Sequence, residues 1–244
     1  MKACIDIGNT LIKLYIVDQG LVLDSLSMKD WGKKEINFFL ETYGVKKSIV
    51  CNVRFEKSVL KKLISELNIP CLILSHDTPL PIKLHYRNPE TLGRDRIAVV
   101  AGAAKQYPNE ASLVIDLGTC ITFDLIDDQK NYLGGTISPG LYMRLKAMNH
   151  FTGRLPLVEI ESEPNPLGDD TISCMQSGAF WGIVYEIRGA IDELNQRYTQ
   201  VNIILTGGDA SKFEKFIKNG IFADSSLLIK GLNYILDYNE EQFS

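Results

Sequence analysis

The chain has no Cys-x-x-Cys pair, no Walker-type Gly-x-x-x-x-Gly-Lys-Ser/Thr loop, no clear Gly-x-Gly-x-x-Gly fingerprint behind a strand pattern, and only three histidines in 244 residues. Each gap closes off a class of function. Without those glycine-rich loops, any phosphate cradle must be built another way. The five cysteines, Cys4, Cys51, Cys71, Cys120 and Cys174, lie far apart with no histidine nearby. This argues against zinc modules and disulfide frameworks and points to reduced core thiols. His76, His85 and His150 have no metal-binding spacing and receive no role. No apolar run approaches membrane-spanning length, and the amino terminus opens on a strand pattern rather than a signal peptide, so a cytoplasmic location is expected. The 26 basic and 30 acidic residues, a net charge of −4, argue against a dedicated nucleic-acid or anionic-membrane surface. No segment is low in complexity, and 45% hydrophobic content is ample for one large or two small domains.

What the chain does have is one short pattern twice: Asp6-Ile7-Gly8-Asn9-Thr10 and Asp116-Leu117-Gly118-Thr119. Each follows an apolar strand pattern, Ala3 to Ile5 and Leu113 to Ile115. Each precedes another, Leu11 to Val17 and Ile121 to Ile126, so each copy predicts a β-hairpin. Glycine lets backbone approach a ligand closely. Turn N–H groups and a threonine hydroxyl can hold phosphate oxygens, while the aspartate can hold the accompanying cation. A single Asp-x-Gly turn is usually only a hairpin. Two in matching contexts suggest a two-lobed phosphotransferase.

The pattern between the hairpins alternates. Strand Leu21 to Leu26, helix Lys33 to Tyr43, strand Ser48 to Val53, helix Glu56 to Leu67 and strand Cys71 to Leu74 lead into a proline-rich polar loop, His76 to Glu90, and a helix, Asp95 to Gln106. The second half predicts helix Leu141 to Ala147, a loop containing Pro156, Pro164 and Pro166, a long helix from Ser173 to Tyr198, strand Val201 to Leu205 and helices Ala210 to Lys218 and Ser226 to Tyr238. Alternation of this kind is the mark of α/β lobes, here placed at 1–110 and 111–244.

The duplicated hairpin resembles the acetate and sugar kinase, heat-shock protein and actin superfamily. Within it, the chain is similar to type III pantothenate kinases through Asp6-Ile7-Gly8-Asn9-Thr10, Gly93-Arg94-Asp95-Arg96 and Asp116 to Asp124. Gly134 to Gly140, Leu155-Pro156, Met175-Gln176-Ser177-Gly178 and Thr206-Gly207-Gly208 follow in family order. The resemblance implies two related ribonuclease-H-like lobes, the duplicated actin-like ATPase fold, with mixed sheets flanked by helices and a nucleotide cleft between the lobes. It implies ATP-dependent phosphorylation of pantothenate's primary hydroxyl to 4′-phosphopantothenate, the first step towards coenzyme A, by a homodimer. A non-catalytic accessory regulator or another small-molecule kinase on this scaffold is the alternative.

Gly93-Arg94-Asp95-Arg96 falls where a loop becomes a helix, so N–H groups and a partial positive charge are presented there. Attack by an alcohol on a γ-phosphate needs a carboxylate to take or align its proton, and Asp95 is the candidate. Arg96 would pair with the acceptor's carboxylate, which a guanidinium matches geometrically. Spacing alone would also allow a helix cap with a surface ion pair. By resemblance, the acceptor site draws on Tyr86, Gly93, Arg94, Asp95, Arg96 and Thr171, the last also suited to cap the helix near Ser173. Asp6, Ile7, Gly8, Asn9, Thr10, Leu11, Ile12 and Lys13 would hold ATP phosphates, with Asp6 near Mg²⁺. Asp116 would bind a monovalent cation, K⁺ or NH₄⁺, and Thr119 would contact nucleotide. Cys120 stands where many relatives have alanine, and Arg94 occupies a variable position.

Overall fold

The computed structural model describes residues 1–198, 200–217 and 221–242. In chain order the strands and helices begin β1 (Lys2–Ile7), β2 (Ile12–Asp18), β3 (Leu21–Met28), α1 (Lys33–Thr42), β4 (Lys47–Asn52), α2 (Lys57–Ile64), β5 (Cys71–Ile73), β6 (Lys83–Leu84) and α3 (Arg94–Gln106). They continue with β7 (Ser112–Leu117), β8 (Cys120–Ile126), β9 (Asn131–Pro139), α4 (Leu141–Phe151), α5 (Thr171–Arg197), β10 (Asn202–Thr206), α6 (Ala210–Phe213), β11 (Ile221–Ala223) and α7 (Leu227–Gln242). Two compact units result: one takes Met1–Asn109, Ile126–Leu133 and the chain from Ser226, the other Glu110–Leu125 and Gly134–Ser225. Among the described residues no helix is long and apolar enough to cross a membrane.

In the first unit the strands run β3-β2-β1-β4-β5, with β1, β2 and β3 antiparallel in turn and β4 and β5 parallel to β1. Ile5, Ile7, Ile12, Leu14 and Ile16 pack with Ile36 and Leu40 of α1 and Leu60 of α2. Helices α3 and α7 contact β4, where Cys51 and Ile49 are buried, and the Cys4 thiol donates weakly to the Ile229 carbonyl, 3.8 Å away. Both faces of β1 are therefore covered, which explains why it reads as an almost continuous apolar run.

Small residues let α3 and α7 approach. A Cβ at Gly231 would run into the Ala98 carbonyl, and one at Gly102 would meet the Gly231 amide nitrogen 3.2 Å away. Gly231→Ala would gain helix propensity of about 1 kcal/mol, but the added atom meets backbone that must move, at a cost of about 1–3 kcal/mol or more. The net expectation is destabilisation, read as a lower denaturant midpoint. An unchanged or higher midpoint would show that the helices separate without strain.

In the second unit β11-β10-β7-β8-β9 repeats the order of the first sheet, with β10 parallel to both β7 and β11. β9 starts in the first unit, where Asn131 and Tyr132 pair in parallel with Lys83 and Leu84 of β6. Ile115, Leu117, Phe123, Leu145, Ile183 and Leu205 form the second core, with Phe180 stacked on Phe213 at 4.8 Å. Each unit thus carries a hairpin followed by parallel strands, and the first unit also takes Ile126–Leu133 and the chain from Ser226.

Several details differ from the sequence expectations. Gly134 to Gly140, a segment for which the sequence pattern predicts no strand, mostly belongs to β9; paired glycines hide the strand pattern, and Gly134 has φ +108°. The proline-rich loop contains β6 and a 3₁₀ turn, Pro89–Thr91. Helix α4 runs on to Phe151 and α7 to Gln242, whereas α6 ends at Phe213 and passes into a 3₁₀ turn, Glu214–Phe216; Lys218 lies outside the described residues. All five cysteines are free, as expected, but Cys174 is exposed on α5 rather than in a core.

Candidate active site

In the first unit, the β1–β2 turn closes through the Gly8 N–H, which donates to the Leu11 carbonyl at 3.0 Å, and leaves Asn9 and Thr10 exposed. Ile7 and Ile12 are fully buried, so only their backbone can face a ligand. Asp6 ends the apolar part of β1 opposite Lys13 on β2. Burial pushes its carboxyl up to about 6; Lys13 opposes the rise and the negative charge of Asp95 adds to it. Asp6 and Asp95, distant in sequence, thus share one electrostatic environment. Cys51, the parallel-strand partner of Asp6, is fully buried, and its thiol is held well above the usual range by burial, Asp6 and Asp95. It is an inert part of the floor.

Helix α3 delivers the other groups. Gly93 precedes its first turn, and the Ile97 N–H donates to the Gly93 carbonyl at 3.2 Å. Asp95 Oδ1 accepts from the Arg96 N–H at 2.9 Å, and a Cβ at Gly93 would stand 2.5 Å from that oxygen. A side chain at Gly93 would push this carboxylate aside. Arg94 turns back onto the preceding loop, donating to the carbonyls of Leu92 at 2.8 Å, Glu90 at 2.9 Å and Pro89 at 3.3 Å. Its guanidinium shapes the loop. Arg96 is 5% exposed and donates through Nη2 to the Tyr132 hydroxyl at 2.8 Å. The Tyr132 ring lies 5.9 Å from that of the half-buried Tyr86.

The second unit holds the other hairpin. Asp116 sits opposite Thr206 of β10 and is partly buried, while Thr119 is exposed at the turn. Gly207 has φ +94°, and a Cβ there would collide with Asp116 Oδ1 and approach the Leu117 nitrogen to 2.6 Å. The Thr206-Gly207-Gly208 turn thus closes directly over the second aspartate, and the Asp209 N–H donates to the Leu117 carbonyl at 2.9 Å.

Thr171 is the first residue of α5, not its cap. Asp170 caps the helix, its Oδ1 accepting from the Ser173 N–H at 2.7 Å while Ser173 reciprocates. A carboxylate with serine three positions on makes a reciprocal box that a lone threonine does not. Thr171 is exposed beside a groove of about 490 Å³ that Leu155, Cys174 and Met175 also line. The Met-Gln-Ser-Gly segment ties down the proline loop: Gln176 donates to the Glu159 carbonyl at 2.8 Å and Ser177 to that of Pro166 at 2.6 Å. Among the described residues no group of three or more His, Cys, Asp or Glu forms a metal cage.

The family model for type III pantothenate kinases matches residues 3–193. The chain belongs to the type III pantothenate kinase family. A type III pantothenate kinase of Bacteroides fragilis is 42% identical over 239 residues, covering 98% of each chain, and one of Christiangramia forsetii is 40% identical over 248 residues, covering 99% of this chain and all of its own. Among solved structures, a Baf family protein from Campylobacter jejuni superposes with a TM-score of 0.63 at 24% identity, covering 98% of this chain and 99% of its own. The activator of a 2-hydroxyisocaproyl-CoA dehydratase from Clostridium difficile, with bound ADPNP, gives 0.55 at 13% identity, covering 99% and 96%. At such identities these two show the fold alone.

For a pantothenate kinase of this family, sequence reasoning missed one residue at the heart of the first unit, Tyr132. Its signal was faint: a single aromatic after the turn at Asp127 to Lys130 and before the glycine pair that masks β9.

Proposed function

We propose that Asp6, Asp95 and Arg96 are the working residues of an ATP-dependent pantothenate kinase, with Lys13 and the turn's exposed Asn9 and Thr10 holding nucleotide phosphates. The observation that carries this reading is the placement of Asp95, at the amino-terminal turn of α3, within electrostatic reach of Asp6. Asp95 takes or aligns the proton of pantothenate's primary hydroxyl as its oxygen attacks the γ-phosphorus. The bond from that phosphorus to the bridging oxygen breaks, and ADP leaves with the electron pair. Arg96 pairs with the acceptor carboxylate, and Tyr86 packs against its carbon chain.

The residues fit a divalent cation that arrives with the nucleotide. Asp6 is a hard oxygen donor whose charge is disfavoured by burial and by Asp95, and a neighbouring cation would offset both. When bound, Mg²⁺ neutralises charge on the phosphates. Asp116, beneath the Gly207 turn, would hold a monovalent cation, K⁺ or NH₄⁺. The chain would act as a homodimer, and light scattering in dilute solution should then give twice the mass of one chain.

The direct test is coupled ADP release with pantothenate, simple sugars and polyphosphate as acceptors. Turnover should require pantothenate and divalent metal and should rise when potassium or ammonium replaces sodium. Equal or greater turnover with a sugar would reject the acceptor assignment, and no turnover with any acceptor would favour a non-catalytic regulator.

A further inference from the structure

Tyr132 stands where three parts of the first unit meet. It is fully buried, and its hydroxyl accepts from Arg96 Nη2 at 2.8 Å. Its ring lies beside Tyr86. Its backbone pairs with Leu84, and its carbonyl accepts from the His85 N–H at 3.0 Å, immediately before Tyr86 in the chain. Just upstream, Asp127 braces the turn into β9, accepting from the N–H groups of Gln129 at 2.9 Å and Asn131 at 2.8 Å and from Asn131 Nδ2 at 2.8 Å. His85 joins through Asn131 Oδ1 at 3.2 Å. A rigid turn therefore sets Tyr132, and Tyr132 touches two residues from separate segments, Tyr86 after β6 and Arg96 on α3.

We propose that Tyr132 is a positioning residue for the acceptor carboxylate: its hydroxyl fixes the plane of the Arg96 guanidinium, and its ring sets the height of Tyr86. The inference rests on the reading that Arg96 binds that carboxylate. A guanidinium recognises a carboxylate through a planar fork, so rotation about the long arginine side chain destroys the match while leaving the charge in place. A tether on one Nη holds that rotation. A phenol is suited to the task because its oxygen can accept while the ring stays in apolar surroundings. The expected consequence is selectivity for charged over neutral acceptors, with phosphoryl transfer itself barely affected.

The test compares Tyr132→Phe and Arg96→Gln with the unaltered chain, using pantothenate and its neutral primary amide. Tyr132→Phe keeps the ring and loses the hydroxyl that accepts from Arg96. Its KM for pantothenate should rise about tenfold or more, as expected for a hydrogen bond to a charged group. Its kcat and its KM for ATP should stay within about threefold. Its kcat/KM for the amide should hardly change, so the preference for acid over amide collapses. Equal losses on acid and amide, or a fall in kcat alongside a lower melting temperature, would reduce Tyr132 to packing and overturn the inference. A Tyr132→Phe chain that does not fold would overturn it as well. Arg96→Gln, which removes the charge, separates the two readings. If it keeps the preference for acid, Arg96 does not bind the carboxylate and the underlying reading fails; if it loses the preference while Tyr132→Phe keeps it, only the role of Tyr132 fails.

Discussion

Asp95→Asn should fold like the native chain and lose about two to four orders of magnitude in kcat, the usual contribution of a positioned general acid or base. Asparagine has nearly the same volume, and its Oδ1 can still accept from the Arg96 N–H that Asp95 Oδ1 accepts now at 2.9 Å. The first turn of α3, with Gly93 packed against that oxygen, therefore has no reason to change. What disappears is the negative charge and the capacity to take a proton. Since Arg96 and Tyr86 remain, the KM for pantothenate should move far less than kcat. Thermal unfolding and steady-state kinetics on the same preparation check both halves. Near-native kcat would remove Asp95 from the chemistry altogether.

Asp6→Asn should abolish most turnover and, in the ligand-free protein, raise stability. The carboxyl is pushed from its ordinary value of 3.8 to about 6, so the folded state disfavours its charge. A carboxyl raised on folding binds its proton more tightly in the native state, and stability therefore falls as pH rises from about 4 through 6. Above about pH 7 the full difference, roughly two pKa units or about 3 kcal/mol as an upper bound, counts against the native chain. Asparagine does not titrate. The variant and the native protein should therefore melt almost together near pH 4, and the variant should melt higher by a few degrees above pH 7. Saturating magnesium and ATP should narrow that gap by stabilising the native protein alone. A variant less stable than the native chain at pH 8 without ligands would mean that the charged form of Asp6 is supported rather than strained. The pattern is that of a functional group held at a cost to stability.

Much of this was legible in local sequence. The two Asp-x-Gly turns sit between apolar runs, so the hairpins β1–β2 and β7–β8 follow from period-two patterning and turn chemistry, and α3 from its run of alanines and valines. Asp95 and Arg96 were recognisable because the loop-to-helix junction and the motif coincide. Other features failed for identifiable reasons. β9 was hidden because Gly134 and Gly135 erase the β pattern, and Thr171 was displaced as a cap by Asp170 because a two-sided hydrogen-bonding box outcompetes a single hydroxyl. Tyr132 carries no local mark at all; its significance lies in a hydrogen bond to a residue 36 positions earlier.

The sequence by itself determined the hairpins, the aspartates they carry, the alternation of strands and helices and, through an ordered set of motifs, the family. Periodicity and turn preference act over a few residues, so a chain reveals them directly. Only the tertiary structure decided that β9-β8-β7-β10-β11 repeats the order of the first sheet, that α7 returns to press Gly231 against α3, and that Tyr132 meets both Arg96 and Tyr86. Those relations depend on which surfaces bury one another across long stretches of chain. The raised carboxyl of Asp6 has the same origin, because burial and the charge of Asp95 exist only once β1 and α3 are packed in one unit.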